Sequence, residues 1–363
     1  MPSLFDSIDL SPALSLQSRI LMAPLTRGRA TREAVPTALM AEYYAQRADA
    51  GLIVSEATGI SREGLGWPYA PGLWTEAQIE SWKPVVGAVH AKGGRIVAQL
   101  WHMGRVVPTG VSGLPAISAS GVRNDALGHS YDGKEPYPEP RPATLDDIQR
   151  IVGDYAAAAR NAIAAGFDGV QIHGANGYLI DQFLRDGTNR REDDYGGSID
   201  NRLRFMSEVV EAVVAEVGID RTAIRLSPVG ESQGCNDSNN HVLFTAVAAR
   251  LEHHRVPWIE LREPGPLSTF RATDEPPVSP SMRKVYSGKI VLNSDYDGPS
   301  GQARLNQGIA DAISFGRTFI ANPDLVERIR REAPLNAPNP RTFYSSGPEG
   351  YTDYPHLVEQ AAA

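Results

Sequence analysis

Eight short apolar runs rich in Val, Ile and Leu, parted by stretches of helical period, constrain this chain more than any other feature. They fall at 19–24, 51–56, 95–100, 169–172, 223–227, 258–261, 289–293 and 312–315. Runs of four to six residues that are apolar on both faces read as strands buried on both faces, the mark of a parallel sheet covered by helices. The intervening stretches have the period of helices. Between 145 and 165, for instance, Ile148, Ile151, Val152, Tyr155, Ala159 and Ile163 share one face, and between 199 and 217 Leu203, Met206, Val210, Val213 and Val217 form one stripe. Further helices are expected from Pro36 through Arg47, at 76–91, at 242–253, near Ser281 and at 300–308. Eight strand-and-helix repeats predict a parallel (β/α)8 barrel, with an open doubly wound sheet as the alternative. A hairpin is expected between Leu4 and Ser18, before the first strand, which ends at Pro24 because proline cannot donate to a ladder.

A chain of 363 residues, 42% hydrophobic and 21% charged, can bury a barrel core in a single domain over 1–363. The stretch from His102 to Pro142, rich in Gly, Pro and Ser and weak in periodicity, follows the third strand, so it is expected to lie over the barrel mouth as a lid. The formal net charge of −8, with scattered Lys and Arg, gives no footprint for nucleic acid or for an anionic membrane surface. No run reaches about 20 uninterrupted apolar residues. A lone cysteine, Cys235, excludes an internal disulfide framework and any multi-cysteine metal site. With residues 1–6 unlike a secretory leader, the expectation is a cytoplasmic protein acting on small molecules, as a monomer or homodimer.

Function in a barrel of this kind comes from the C-terminal ends of the strands. The polar groups expected there are Thr26 after Pro24, Glu56 beside Ala57, Gln99 and Trp101, His173 with Asn176 and Tyr178, Arg225, Asn293, and Gly316 with Arg317. One Glu and one His make a poor metal set. No Gly-x-Ser-x-Gly elbow or Walker loop is present, and Gly64-Leu65-Gly66 is not completed into a dinucleotide fingerprint. The set suits a planar, polar heterocycle bearing a phosphate. Gly316 and Arg317 follow strand eight, where such barrels bind phosphate, while Gln99, Arg225 and Thr26 offer an amide, a fixed charge and a hydroxyl to a ring with several carbonyls. The stretch His173-Gly174-Ala175-Asn176-Gly177-Tyr178 adds two donors that can hold one substrate oxygen and a phenol that can deliver a proton.

Taken together, Ala23-Pro24-Leu25-Thr26-Arg27, the stretch 43–48, Ala98-Gln99-Leu100-Trp101-His102, the stretch 173–179, Tyr195-Gly196-Gly197-Ser198 with Asn201-Arg202, and Gly316-Arg317 resemble the Old Yellow Enzyme family. The resemblance spans nearly the whole chain. It implies non-covalent FMN, reduced by NADPH or NADH, and reduction of activated C=C bonds of α,β-unsaturated carbonyl and nitro compounds. By motif position it implies FMN contacts from Pro24, Thr26, Ala57, Gln99, Arg225, Asn293, Gly316 and Arg317. His173 and Asn176 would bind the substrate oxygen, Tyr178 would be the proton donor, and Tyr69, Trp101, Arg141, Gln233 and Tyr351 would shape the substrate pocket. The chain departs from the family at Asn293-Ser294-Asp295-Tyr296, where many members carry a Gly-Gly-aromatic turn. Two other functions share the fold: a phosphosugar isomerase or aldolase, for which Glu56 is the available base, and a non-catalytic flavin-binding barrel.

Overall fold

A computed structural model describes residues 1–269 and 271–357; the single-domain span expected from the sequence runs on through 358–363, which lie outside the described residues. Eight parallel strands close into a barrel: β1 Ile20–Met22, β2 Leu52–Gly59, β3 Ile96–Trp101, β4 Gly169–Gly174, β5 Thr222–Leu226, β6 Trp258–Arg262, β7 Lys289–Ser294 and β8 Ala312–Phe315, with β8 pairing back to β1. Each expected strand is present, and the open-sheet alternative is excluded by this closure. Around them lie α1 Ala38–Ala45, α2 Glu76–His90, α3 Leu145–Ala164, α4 Ile199–Val217, α5 Asn240–His253, α6 Ser279–Val285 and α7 Gly298–Asn306, with two short helices, Arg317–Ala321 and Leu325–Arg330, after β8. Helix starts follow local chemistry. Thr75 and Thr144 form capping boxes with Gln78 and Asp147, and the Ser198 hydroxyl accepts the Asn201 N–H, so otherwise orphaned N–H groups are satisfied.

The period of two along each strand sorts residues between two cores. One set, including Ile53, Ala98, Ile172, Ile224, Ile259, Ile290 and Ile313, packs outward against the helices. The other, Leu21, Leu52, Val54, Val97, Ala223, Trp258, Val291 and Ala312, fills the lower barrel, where Ile8, Leu10, Leu14 and Leu16 of the N-terminal hairpin plug it. The hairpin's strands are Ile8–Ser11 and Leu14–Leu16, and the Ser11 hydroxyl donates to the Asp220 carbonyl just before β5. Above this apolar floor the inward positions turn polar. Gln99 donates to Gln171 (2.7 Å), Gln171 to Glu260 (2.8 Å), and Ser314 to the other Glu260 oxygen (2.7 Å), while Arg225 donates to Asn293 (2.7 Å). Buried polar groups this close are stable because they satisfy one another.

Met103, Ala126, Leu127, His129 and Tyr137 of the insertion after β3 line a cavity at the strand ends. The insertion contains a helical turn at Thr109–Ser112, a hairpin of Leu127–Ser130 with Gly133–Pro136, and a two-stranded ladder of Ile117–Ser118 with Arg141–Pro142. At the opposite rim the C-terminal segment is strapped down by guanidiniums: Arg27 donates to the carbonyls of Phe343 and Gly350, Arg29 to those of Phe343 and Thr342, and Arg328 to that of Pro355.

Candidate active site

A cavity of about 570 Å³ opens among the C-terminal strand ends, the lid and the C-terminal strap. Its lining includes Pro24, Thr26, Asn176, Tyr178, Arg225, Gln233, Asn293, Gly316 and Arg317 of the residues expected from the sequence. The size falls within the range of cofactor sites.

The β4 end builds the substrate side. His173 is inward-facing in register with Arg225 and nearly fully buried. Beyond it the chain turns through Asn176 (φ 61°) and Gly177 (φ 78°), both left-handed. Only glycine fits at 177, because a Cβ there would lie 2.2 Å from the Ser232 carbonyl oxygen. The turn is pinned by the Asn176 N–H to the Ser227 hydroxyl (2.8 Å) and the Gly177 N–H to Asp181 (2.8 Å). Trp101, inward from β3, stacks near His173 (centroids 6.2 Å apart), and Tyr178 stands edge-on to both rings at 4.9 Å.

Electrostatics fix the protonation of this trio. Burial, seconded by the Arg225 charge, pulls the His173 pKa well below its ordinary value, so the ring is neutral near pH 7. Its Nδ1 accepts the Ala175 N–H (3.3 Å), so the ring hydrogen resides on Nε2 as a donor. Burial likewise pushes the Tyr178 hydroxyl up, which keeps it a phenol, and the nearby Gln233 amide donates to the Asn176 carbonyl (3.3 Å). The buried Asn176 Oδ1 and Trp101 Nε1 have no hydrogen-bond partner among the described residues. Two unsatisfied polar atoms beside a cavity point to a ligand that completes them.

The opposite side carries charge. Arg225, Arg262, Arg271 and Arg317 line the cavity, with Asp295 the carboxylate among its described lining residues. Gly316 and Arg317 open the short helix after β8, and Arg317 donates to the Thr269 hydroxyl, which in turn donates to Asp295 (2.9 Å). Arg225 Nε lies 3.4 Å from Glu260 but is too poorly aligned to hydrogen-bond it, leaving that N–H buried and unpartnered. Such a donor set, planar amides and guanidiniums at one end and a glycine and an arginine at the other, fits a phosphorylated, carbonyl-rich ring such as FMN.

Several expected residues lie elsewhere. Gln99 and Ala57 face each other across β3 and β2, below the lining, and Gln99 is committed to Gln171. Tyr69 is 43% exposed and packs edge-on against Tyr131 of the lid hairpin. Arg141 grips Asp147 through two hydrogen bonds at the start of α3. Tyr351 is not brought to the cavity: it stacks on Tyr43 (4.0 Å) beneath Arg27 and Arg29, inside the strap. The aromatic residues that the strap does present are Phe343 and Tyr344. Tyr344 joins Trp67 (5.0 Å) and His129 of the lid (6.2 Å). Neither these two nor Arg262 carries a local signal in the sequence, although alternation from Glu260 points Arg262 inward.

Glu56, the base required by an isomerase or aldolase, is also absent from the lining. An extra residue in β2 between Val54 and Ala57 breaks the alternation and turns Glu56 outward, where it accepts the N–H groups of Arg27 (3.2 Å) and Gly28 (3.3 Å) and the Tyr44 hydroxyl. Burial raises its pKa to about 7.

A closed (β/α)8 barrel with this donor set defines a barrel oxidoreductase. Residues 3–336 match the model of the NADH:flavin oxidoreductase / NADH oxidase family. Two solved structures share the fold and much of the sequence: the old yellow enzyme homologue from Zymomonas mobilis (56% identical, TM-score 0.97, covering 98% of this chain and 100% of that one) and morphinone reductase (45%, TM-score 0.94, 99% and 97%). Among curated proteins, putative 12-oxophytodienoate reductase 5 of Oryza sativa subsp. japonica is 42% identical over 365 residues, covering 99% of this chain and 96% of that protein. The chain belongs to the Old Yellow Enzyme family of flavin oxidoreductases. It is an FMN-dependent enzyme of the ene-reductase type, and the isomerase and scaffold readings fall away.

Proposed function

We propose that this enzyme reduces C=C bonds conjugated to a carbonyl or nitro group, and that His173, Asn176 and Tyr178 carry the substrate half of the reaction. The observation that supports this most is the fixed tautomer of His173: with Nδ1 engaged by Ala175, its Nε2 carries the hydrogen, and the ring stands 4.9 Å from that of Tyr178, which lines the cavity with Asn176. FMN, when bound, supplies the chemistry of accepting hydride from a reduced nicotinamide and passing it to the substrate β-carbon. Pro24, Thr26, Arg225 and Asn293 would hold its ring side and Gly316 and Arg317 its phosphate, while Gln99 and Ala57, in the layer below the lining, would support that side. His173 and Asn176 donate to the substrate oxygen as negative charge develops on it, and one such donor contributes about 2.7–4 kcal/mol. Tyr178, kept protonated by burial, delivers a proton to the α-carbon. Trp101 and Gln233 bound the pocket around that phenol.

NADPH or NADH is the reductant in this reading, supported by a solved structure of the similar morphinone reductase in complex with tetrahydroNAD. The single cysteine, buried and reduced, fits our assignment to a cytoplasmic setting, as monomer or homodimer. No helix of the described residues is long and apolar enough to cross a membrane. The test is colour. Purified protein should be yellow, anaerobic NADPH or NADH should bleach it, and an enone added without oxygen should restore the yellow form. Protein that retains no flavin, or a bleached form that no activated alkene reoxidises, would overturn the proposal.

A further inference from the structure

The cavity lining holds a residue that the assignments above leave without a role. On β6 the inward positions are Trp258 on the apolar floor, Glu260 in the polar layer, and Arg262 at the strand end. Strand register sets Arg262 opposite Asn293, whose side chain accepts from Arg225. Arg262 is 8% exposed and lines the same cavity as Arg225 and Arg317. Burial, then the charges of Arg225, Arg271 and Arg317, pulls its pKa down to about 9, with Asp295 opposing. Its inward place at the strand end, opposite Asn293 and beside Arg225, puts a guanidinium where an anionic group of a ligand in the cavity can reach it.

The charges of the lining indicate what the anion is. Four guanidiniums against one carboxylate, with Glu260 just below and 3.4 Å from Arg225, make the described lining electropositive. A phosphate monoester carries about −1.5 to −2 near pH 7, and a reduced flavin adds one negative charge on its pyrimidine side. Both are anionic groups that an electropositive lining attracts.

We propose that Arg262 is a further cofactor-binding residue, pairing with an anionic oxygen of the flavin nucleotide between the sites of Arg225 and Arg317. This rests on the cavity being a flavin site. The oxygen belongs either to the phosphate or to the pyrimidine edge of the reduced ring, and the two sources are separable because riboflavin lacks the phosphate.

Arg262→Gln and Arg262→Lys are purified as holoenzymes, checked by thermal melting, and compared with the parent for flavin retention in dialysis and for midpoint potential, with FMN and with riboflavin exchanged in. A charge-assisted contact corresponds to about a 10- to 100-fold change in affinity. If the partner is the phosphate, Arg262→Gln releases FMN about tenfold or more readily while riboflavin binding stays as in the parent. If the partner is the reduced ring, the midpoint potential falls with both flavins, by about 30 mV for each tenfold loss in affinity of the reduced over the oxidised form. In either case Arg262→Lys, which keeps the charge, recovers part of the loss. Unchanged retention and potential in a folded Arg262→Gln protein would overturn the inference and leave the ene-reductase reading standing. Should Arg262→Gln fail to fold, equal losses in Arg262→Lys for FMN and riboflavin with no shift in potential would overturn it too, since they would mark a packing role. A colourless parent protein would instead sink the reading itself, and the inference with it.

Discussion

The two ends of the barrel are built from the same strands, yet they differ in kind. At the lower end the inward residues are Leu21, Val54, Val97, Ala223, Trp258, Val291 and Ala312, sealed by the leucines of the hairpin. Two residues further along the strands, about 6.5 Å at strand rise, the inward positions become Gln99, Arg225, Glu260, Asn293 and Ser314, bonded to one another. The lower layer hides apolar area from water and needs no partner. The upper layer confines each polar group in a mutual network and leaves the outermost ones, Asn176, Arg262 and Arg317, lining the cavity, with His173 packed against Tyr178 behind it. Stability and chemistry are thus divided along the barrel axis, and each end can be damaged without the other.

The largest effect on stability should come from the floor. Trp258→Ala empties a buried indole between the hairpin and the barrel, and large-to-small changes of this type cost about 3–5 kcal/mol. Urea unfolding should show that loss, while the remaining folded protein binds flavin as before; a loss below about 1 kcal/mol would mean that the plug carries little of the core.

At the mouth the opposite pattern is expected. Tyr178→Phe removes one hydroxyl that faces the cavity, so the melting temperature should barely move. Alkene reduction should slow by about a hundredfold or more, the usual contribution of a positioned proton donor. Stopped-flow measurement of the two half-reactions separates the roles: bleaching by NADPH should survive. Equal slowing of both would make Tyr178 a residue that positions the cofactor.

A third effect tests the boundary between the two ends. His102, just past β3, is fully buried, its Nδ1 accepts the Gly104 N–H (3.1 Å), and burial pulls its pKa from 6.5 to about 3. The unfolded chain therefore binds a proton between pH 6.5 and 3 that the folded one does not. His102 contributes stability fully above pH 6.5, and that contribution is lost as pH falls toward 3, at about 1.4 kcal/mol per pH unit. His173 acts in the same direction. Glu56, raised from 4.5 to about 7, acts oppositely, its folded form losing stability as pH rises through that window. The profile of the parent protein is thus flattened, and the informative quantity is its difference from His102→Gln in urea unfolding at pH 7 and pH 5. A difference that does not change with pH would show that His102 titrates normally.

The smallest effect is expected at Arg141, whose guanidinium is 43% exposed in its pair with Asp147. Arg141→Ala should cost under about 1 kcal/mol and leave KM for the alkene unchanged. A raised KM would place this residue in the pocket, as the resemblance implied.

How much of this was legible in the sequence follows from range. The eight strands and their order were readable because burial on both faces writes itself as short apolar runs. His173, Asn176 and Tyr178 were readable because one local turn carries all three. What escaped depends on distant contacts or on alternation within a strand. The extra residue in β2 reverses the facing of Glu56, and no local signal marks it. Phe343 and Tyr344 reach the cavity only because Arg27 and Arg29 hold the strap, and the nearby Tyr351, similar in composition, is turned onto Tyr43 instead. Arg262 could have been found by counting in twos from Glu260.

The central claim is that His173 and Asn176 form an oxyanion site above the flavin, and a phenol measures it most directly. A phenolate presents a planar ring with an anionic oxygen, resembling the charge that develops on the substrate, so it should bind better than the neutral phenol. Titrating a para-substituted phenol into the oxidised, flavin-loaded protein should raise a broad long-wavelength charge-transfer band, with apparent affinity increasing as pH rises toward the phenol's own pKa. The double replacement His173→Ala with Asn176→Ala should abolish the band while flavin stays bound. No new band in the parent protein at full flavin occupancy, or a band that survives the double replacement, would contradict the account.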